Sequence, residues 1–357
     1  MPLSEILFIT IVLLFLAMVV ASLCRFVAIP YTVLLVILGL ILNLSQSYLP
    51  FEALYSHFHL THELVLFVFL PALIFESALS LDARGLLKNL LPVLMLAIPG
   101  MFLSTALVGL GLWGTIEINW IIALLFGALI SATDPVAVVA LFKELGVPRR
   151  LMLLVEGESL FNDATAIVLF NILLAIAMSS GFSIDSVVTI IPEFLKVFLG
   201  GVLVGAVISL LISELMVRTY HGDNNIPVIF SISIAYLSFI AAEHFFHVSG
   251  VMAVLTAAIC LNITGLMRLS NETSHSVHSI WGAFVLICNS LLFILIGLSV
   301  DFMQLAVFWE PVLFAMIAVT LARAVSVYLL VPVTTRIFSL PFISYGERHV
   351  MWWGGLK

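Results

Sequence analysis

Residues 11–23 read IVLLFLAMVVASL, and apolar runs like it recur from one end of the chain to the other. Such a run, extended to about 20 residues, can cross a bilayer as a helix that satisfies its own backbone hydrogen bonds. Membrane-spanning strands must alternate between lipid-facing and lumen-facing side chains, so unbroken runs exclude a β-barrel. Hydrophobic residues make up 63% and charged residues 9% of 357 positions, far outside the composition of a soluble domain. The expected fold class is an all-α polytopic membrane protein.

The hydropathy pattern predicts spans near 4–24, 28–45, 61–80, 86–113, 119–142, 150–178, 189–218, 226–244, 248–267, 278–300 and 306–336, each long enough to cross or nearly cross a bilayer. A twelfth begins near 346 and stops unfinished at Lys357. The first is expected to stay in the protein, because neither a basic n-region nor a small-residue cleavage site frames it.

Basic residues predict the orientation. Loops after the odd spans carry Arg25; Arg84 and Lys88; Lys143, Arg149 and Arg150; Arg218; Arg268; and Arg336 with Arg348. Loops after the even spans carry Glu52, Glu117, Asp185, Asp301 and Glu310 instead. By the positive-inside rule the odd loops face the cytoplasm, and the N-terminus lies outside. The net charge of −7 then reflects outward and buried acids, and gives no reason to expect a nucleic-acid partner.

Other features carry less. Cys24, Cys260 and Cys288 sit in apolar segments, where a thiol behaves as a small hydrophobe, and no disulfide or zinc spacing is present. His57, His59 and His62 on an outward loop are read as interfacial histidines before a metal site. The sequons at Asn262 and Asn271 fall on the inner side, and that at Asn43 lies close to the membrane.

Three polar interruptions carry the functional signal. Span 3 contains Pro71 and Glu76; span 5 contains Thr133, Asp134 and Pro135; span 6 reads LVEGESLFNDATAIVLF from Leu154 to Phe170. Ionisable groups at membrane depth are costly, and mark functional sites by default. Pro135 removes a backbone hydrogen bond in mid-span, which predicts two half-helices joined by an extended stretch. Irregular backbone at that depth is tolerated where it lines a cavity, and it builds ion sites in secondary transporters. Asp134 suits the N-cap of the second half-helix, ahead of direct ion ligation. The Thr133 carbonyl lies at the end of the first half-helix, where orphan C=O groups point toward a cation.

Ser159, Asn162 and Asp163 fall at i, i+3 and i+4, so they share one helix face. A hard monovalent cation prefers oxygen ligands. Asp163 is the full charge on that face able to hold a cation and a proton in turn. Glu158 points elsewhere, and Arg323 is the only arginine inside a span. An ion pair between them is expected, with Glu156 as a further partner, and its role is architectural. Lys196 and Glu243 lie nearer span ends and receive no site role.

The motifs FLPALIFESAL, SATDPVAVVALFKELGV, EGESLFNDATAIVLF, ARAVSVY and WWGGLK, in that order, resemble the NhaP-type sodium/proton antiporters. These form the branch of monovalent cation:proton antiporters that includes the animal sodium/hydrogen exchangers. The resemblance covers essentially the whole chain. It implies a six-plus-six inverted repeat with spans 5 and 12 broken and crossing, and a homodimer. It implies Na+ ligation by Asp163, Ser159, the Thr133 backbone and Glu76, with Asn162 and Asp134 supporting the crossover. It makes Glu158 and Arg323 a structural ion pair. Residues 1–357 then form one transmembrane antiporter domain. Its ion-binding core is expected at about 61–178 and 278–357, and its dimerisation scaffold at about 1–45 and 189–267. Since the family's motif continues past the position of Lys357, the second repeat is expected to be incomplete here, and exchange to need the continuation.

The expected function is secondary exchange of Na+, with Li+ or K+ as alternatives, for H+ across a cell membrane. Only a neutralised Asp163 crosses a low-dielectric barrier cheaply. Asn162 in place of a second carboxylate argues for electroneutral one-for-one exchange, a step that leans on the resemblance. Neither a catalytic group nor a cofactor is expected; the partners are Na+, H+, the bilayer and a second copy of the chain. Two rival functions compete with this one. An intramembrane aspartyl protease would use Asp134 and Asp163 as a dyad, but no Gly-x-Gly-Asp signature occurs. A cation channel would need a filter-like repeat, and none is visible.

Overall fold

Apolar stretches throughout the described chain are helical, and among the described residues there is no strand. The computed structural model describes residues 3–24, 26, 29–45, 61–116, 118–133, 139, 142, 146–178, 184–300, 307–337 and 343–354. In chain order the helices are α1 (Leu3–Cys24), α2 (Tyr31–Leu44), α3 (62–80), the short α4 (Ala83–Lys88), α5 (Leu90–Ile116) and α6 (Trp120–Ile130). After them come α7 (Arg149–Met178), α8 (Ile184–Thr219), α9 (Asn225–Phe245) and α10 (Gly250–Arg268). The last are α11 (Asn271–Ser299), α12 (Trp309–Ile337) and α13 (Tyr345–Gly354). Eight of these are long and apolar enough to cross a membrane, and α2, α3 and α6 are shorter apolar helices. The protein is a multi-pass membrane protein.

Caps fix several boundaries that hydropathy misplaces. Ser270 accepts the Thr273 amide at 3.1 Å, so α11 begins at Asn271 rather than near 278. Asp82 accepts the Gly85 amide at 3.0 Å, which sets off α4 from α5 where one span near 86–113 was expected. Asn119 caps α6 through the Ile121 amide at 3.0 Å. Two prolines are absorbed without a break. A π turn at Val65–Phe69 precedes Pro71 in α3, and another at Ser326–Leu330 precedes Pro332 in α12. The widened turn makes room for a ring that would otherwise strike the carbonyl four residues back.

The helices pack in two groups. Lipid tails are as apolar as leucine, so close backbone approach and polar contacts hold membrane helices together. In the first group α5, α6, α7 and α12 meet. Gly127 lets α6 onto α5, where an added Cβ would stand 2.6 Å from the Thr105 carbonyl oxygen, and Ser104 bonds Ser326 across α5 and α12 at 2.9 Å. In the second group Gly201 and Gly205 of α8 lie directly on the Ser249 and Ala253 backbone of α10, and Ser209 donates to the Ala257 carbonyl at 2.8 Å. Gly39 and Gly297 bring α2 and α11 into backbone contact, helped by Tyr31 and Ser290 hydroxyls 2.8 Å apart.

Helix α3 and helix α11 pack with this second group. Phe75 lies on Trp281 with ring centroids 4.6 Å apart, and Tyr236 of α9 donates to the Val68 carbonyl at 2.9 Å. Asn262 of α10 donates to the Leu79 carbonyl at 2.8 Å. Helix α3 packs chiefly on α10 and α11, and α11 chiefly on α2 and α3.

Candidate functional site

Helix α6 stops at Ile130, and the chain turns at Ser131, whose amide still reaches the Gly127 carbonyl at 3.2 Å. The first half-helix thus ends, at its cap Ser131, four residues before Pro135. Pro135 has no amide to offer the Ser131 carbonyl one turn back. Helix α7 supplies the donors. Asn162 Nδ2 donates to the Ser131 carbonyl and to Thr133 Oγ1, each at 3.3 Å, and Ser159 Oγ donates to the Thr133 carbonyl. Ser131, Thr133, Ser159 and Asn162 are all buried. The i, i+3 spacing that places Ser159 and Asn162 on one face is what lets both reach the same frayed helix end.

Asp163 follows Asn162 on α7 and is half-buried. Asp134, Pro135 and, apart from Val139 and Phe142, the second half of the expected fifth span lie outside the described residues, as do His57, His59 and Lys357. Ser159, Asn162 and Thr133 are neutral: they orient a ligand without supplying charge. Their oxygens, like those of the neighbouring Asp163 carboxylate, are hard donors. Ser159 spends its proton on the Thr133 carbonyl. To ligate a cation it would turn that proton away, which frees two oxygens at once.

Glu76 belongs to a different neighbourhood. It is half-buried in α3 and accepts a hydrogen bond from Ser80 Oγ, one turn on, at 2.9 Å. No hydrogen bond joins it to Ser159, Asn162, Asp163 or Thr133 among the described residues.

One turn before Asn162, Glu158 meets Arg323 of α12 in a bidentate pair. Arg323 Nη2 lies 3.0 Å from Oε2, and Nη1 bonds Oε1. Glu158 is 2% and Arg323 8% exposed, so the fork–fork geometry must offset the desolvation of both ions. Glu156 is half-buried on the same helix. Of the charged residues given no site role, Lys196 pairs with Glu193 at 3.0 Å, and Glu243 accepts the Gly250 amide at 3.0 Å, capping α10.

A cleft of about 530 Å³ opens where α7 leaves the first helix group for the second, lined by Ile167, Asn171, Thr189, Glu193, Glu243 and His247. Ile167 is one helical turn beyond Asp163. Ser131 was not singled out from the sequence. Its part is played by a backbone carbonyl, which any residue would present, and the only hint lay in its position just before Thr133.

Residues 11–357 match the model of the transmembrane sodium/hydrogen exchangers. The chain is 37% identical over 333 residues to the Na(+)/H(+) antiporter ApNhaP of Aphanothece halophytica, covering 92% of this chain and 61% of that protein. It is 35% identical over 335 residues to the Na(+)/H(+) antiporter NhaG of Bacillus atrophaeus, covering 92% and 62%. The chain therefore spans about three fifths of the length of these two relatives. Among solved structures, the sodium proton antiporter MjNhaP1 of Methanocaldococcus jannaschii at pH 8 superposes with a TM-score of 0.76 at 18% identity, covering all of this chain and 85% of that one. That likeness establishes a shared fold.

Proposed function

Because the chain belongs to the sodium/hydrogen exchanger family, we propose that it forms the membrane part of a transporter that exchanges Na+ for H+, with Asp163 holding cation and proton in turn. The observation that carries this reading is the meeting of Ser159 and Asn162 with the frayed end of α6, one residue from the Asp163 carboxylate. A cation at Asp163 would take further oxygens from Ser159 and the Thr133 carbonyl. Asn162 would hold the carbonyl row in place, and Asp134 would cap the half-helix that follows. Glu76 would then act at a distance, as an acid on the other helix group.

The cycle follows from electrostatics. An ionised Asp163 is expensive to carry through an apolar barrier, whereas the same carboxylate neutralised by Na+ or H+ crosses readily. With one alternating carboxylate, one proton returns for each cation, and the exchange is electroneutral. The cleft beside α7 is the route to the site from one side of the membrane, because it lies along the seam between the two helix groups. Movement of the α5, α6, α7 and α12 group against the rest would expose the site alternately. The N-terminus and even loops face outward in a cell membrane, and the second group supplies the surface for a homodimer.

The test is a proteoliposome assay of the native protein with an interior pH dye. A Na+ pulse should change the interior pH, and Asp163→Asn should abolish this while the variant keeps its helical content and melting temperature. Clamping the membrane potential with valinomycin and K+ should leave the rate unchanged. An active Asp163→Asn protein would sink the assignment, and a steep voltage dependence would sink the stoichiometry.

A further inference from the structure

Seven buried side-chain nitrogen or oxygen atoms have no hydrogen-bond partner among the described residues. Four of them belong to the first helix group: Thr105 Oγ1 on α5, Ser131 Oγ at the end of α6, Asn162 Oδ1 on α7 and Arg323 Nε on α12. All four side chains are more than nine-tenths buried, at 4%, 6%, 3% and 8% exposure. A buried polar atom left without a partner keeps the full penalty of its desolvation, so four together require an explanation.

Contacts already described bring them together. Along the α5–α6 seam the close approaches step from Gly109 on Leu124 to Gly127 on Thr105, so the two helices are antiparallel. A helical Cβ leans toward its own N-terminus, which in α5 carries the Thr105 hydroxyl past Gly127 toward the level of Ser131. Asn162 reaches the Ser131 carbonyl at 3.3 Å. Its Nδ2 is occupied there and at Thr133 Oγ1, so Oδ1 must face away from them. Arg323 sits on Glu158, one turn or about 6 Å before Asn162 on α7. Three residues beyond it Ser326 bonds Ser104, the neighbour of Thr105.

We infer that ordered water occupies this interior, accepting from Arg323 Nε–H and donating to Asn162 Oδ1, with the Thr105 and Ser131 hydroxyls as its other partners. The hydrogen-bond count balances. Asn162 Oδ1 can only accept, Arg323 Nε can only donate, and the two hydroxyls do either. Water with two donors and two acceptors joins such a set, and buried waters normally hold 2–4 polar partners. A bare monovalent cation fits poorly, because Arg323 Nε–H would point positive charge at it. The hydrated span would couple the Glu158–Arg323 pair to the end of α6, and it stands whether or not Asp163 carries the transported ion.

Thr105→Val in the full chain tests the inference, because it keeps shape and removes only the hydroxyl. With water bound, the variant should melt about 1–2 °C lower, the shift expected for loss of one such hydrogen bond in a chain this large. Adding Ser131→Ala should then cost less than Ser131→Ala does alone. In a dry interior the same change deletes an unsatisfied hydroxyl, and an unchanged or raised melting temperature would overturn the inference. A high-resolution density map of the native protein should show a peak between Asn162 and Arg323 that Tl+ does not replace. An empty map, or replacement by Tl+, would also overturn it.

Discussion

Arg323 and Glu158 stand 165 positions apart in the chain and meet as a buried, two-bonded pair, with Nη2 3.0 Å from Oε2. This is a contact between α7, which bears Asp163, and α12. Neither charge has another ion within salt-bridge distance in its described surroundings, so each is the other's main reason for remaining ionised at that depth.

Arg323→Ala should therefore damage stability far more than ion preference, by roughly 3–5 kcal/mol for one stranded charge. Neutralising both ends should recover much of the loss. Thermal unfolding in detergent should find Arg323→Met with Glu158→Gln melting above Arg323→Met alone. Equal melting temperatures would mean that the pair contributes little beyond packing.

Ser159→Ala removes the donor to the Thr133 carbonyl and, on the proposed mechanism, one oxygen from the cation. The Na+ concentration for half-maximal exchange should rise about tenfold, or ~1.4 kcal/mol, with the maximal rate much less affected. An unchanged half-maximal concentration would restrict Ser159 to holding the end of α6.

Gly205 and Gly114 should respond oppositely to a side chain. At Gly205 any Cβ would overlap the Ala253 backbone of α10, so Gly205→Val should cost about 1–3 kcal/mol through overpacking. Gly114 in α5 has nothing within 4 Å of an added Cβ. There Gly→Ala should be neutral or stabilise by about 0.5–1 kcal/mol through helix propensity. Melting curves of the two variants against the parent check both signs.

The proposed orientation sets which exposed positions an impermeant maleimide can reach in sealed, right-side-out cells. With Cys24, Cys260 and Cys288 replaced, a cysteine at Glu310 should label and one at His221 should not. The reverse pattern would invert the topology.

Much of this architecture was legible because hydropathy at membrane depth is a strong constraint: the apolar runs mark nearly every described helix. The Glu158–Arg323 contact could be anticipated by elimination, since an isolated intramembrane guanidinium has few acceptable partners. What the chain concealed was set by groups without apolar character. The first turns of α11, NETSHSV, look like a loop until Ser270 caps them. Periodicity cannot show that α6 ends at Ile130, because the donors that replace its missing amides come from Asn162 and Ser159 on another helix. Glu76 hydrogen-bonds Ser80 one turn on in its own helix, a local contact that periodicity does not reveal. A sequence records its presence in a span, not the face on which it emerges.

That face depends on the π turns. Each one fits an extra residue into a helix, turning everything beyond it by about 100° relative to an uninterrupted helix. Glu76 lies beyond the turn at Val65–Phe69, while Arg323 lies just before the one at Ser326–Leu330. Deleting a single residue from Val65–Phe69 would leave α3 equally apolar and able to reach the same depth, but would turn Glu76 to another face and take Phe75 off Trp281 of α11. In α12 the same deletion would keep Arg323 on Glu158 and swing the segment after Leu330 out of register. Single-residue indels in these helices act as rotations, so an alignment that shifts a gap by a few positions pairs residues that point in different directions.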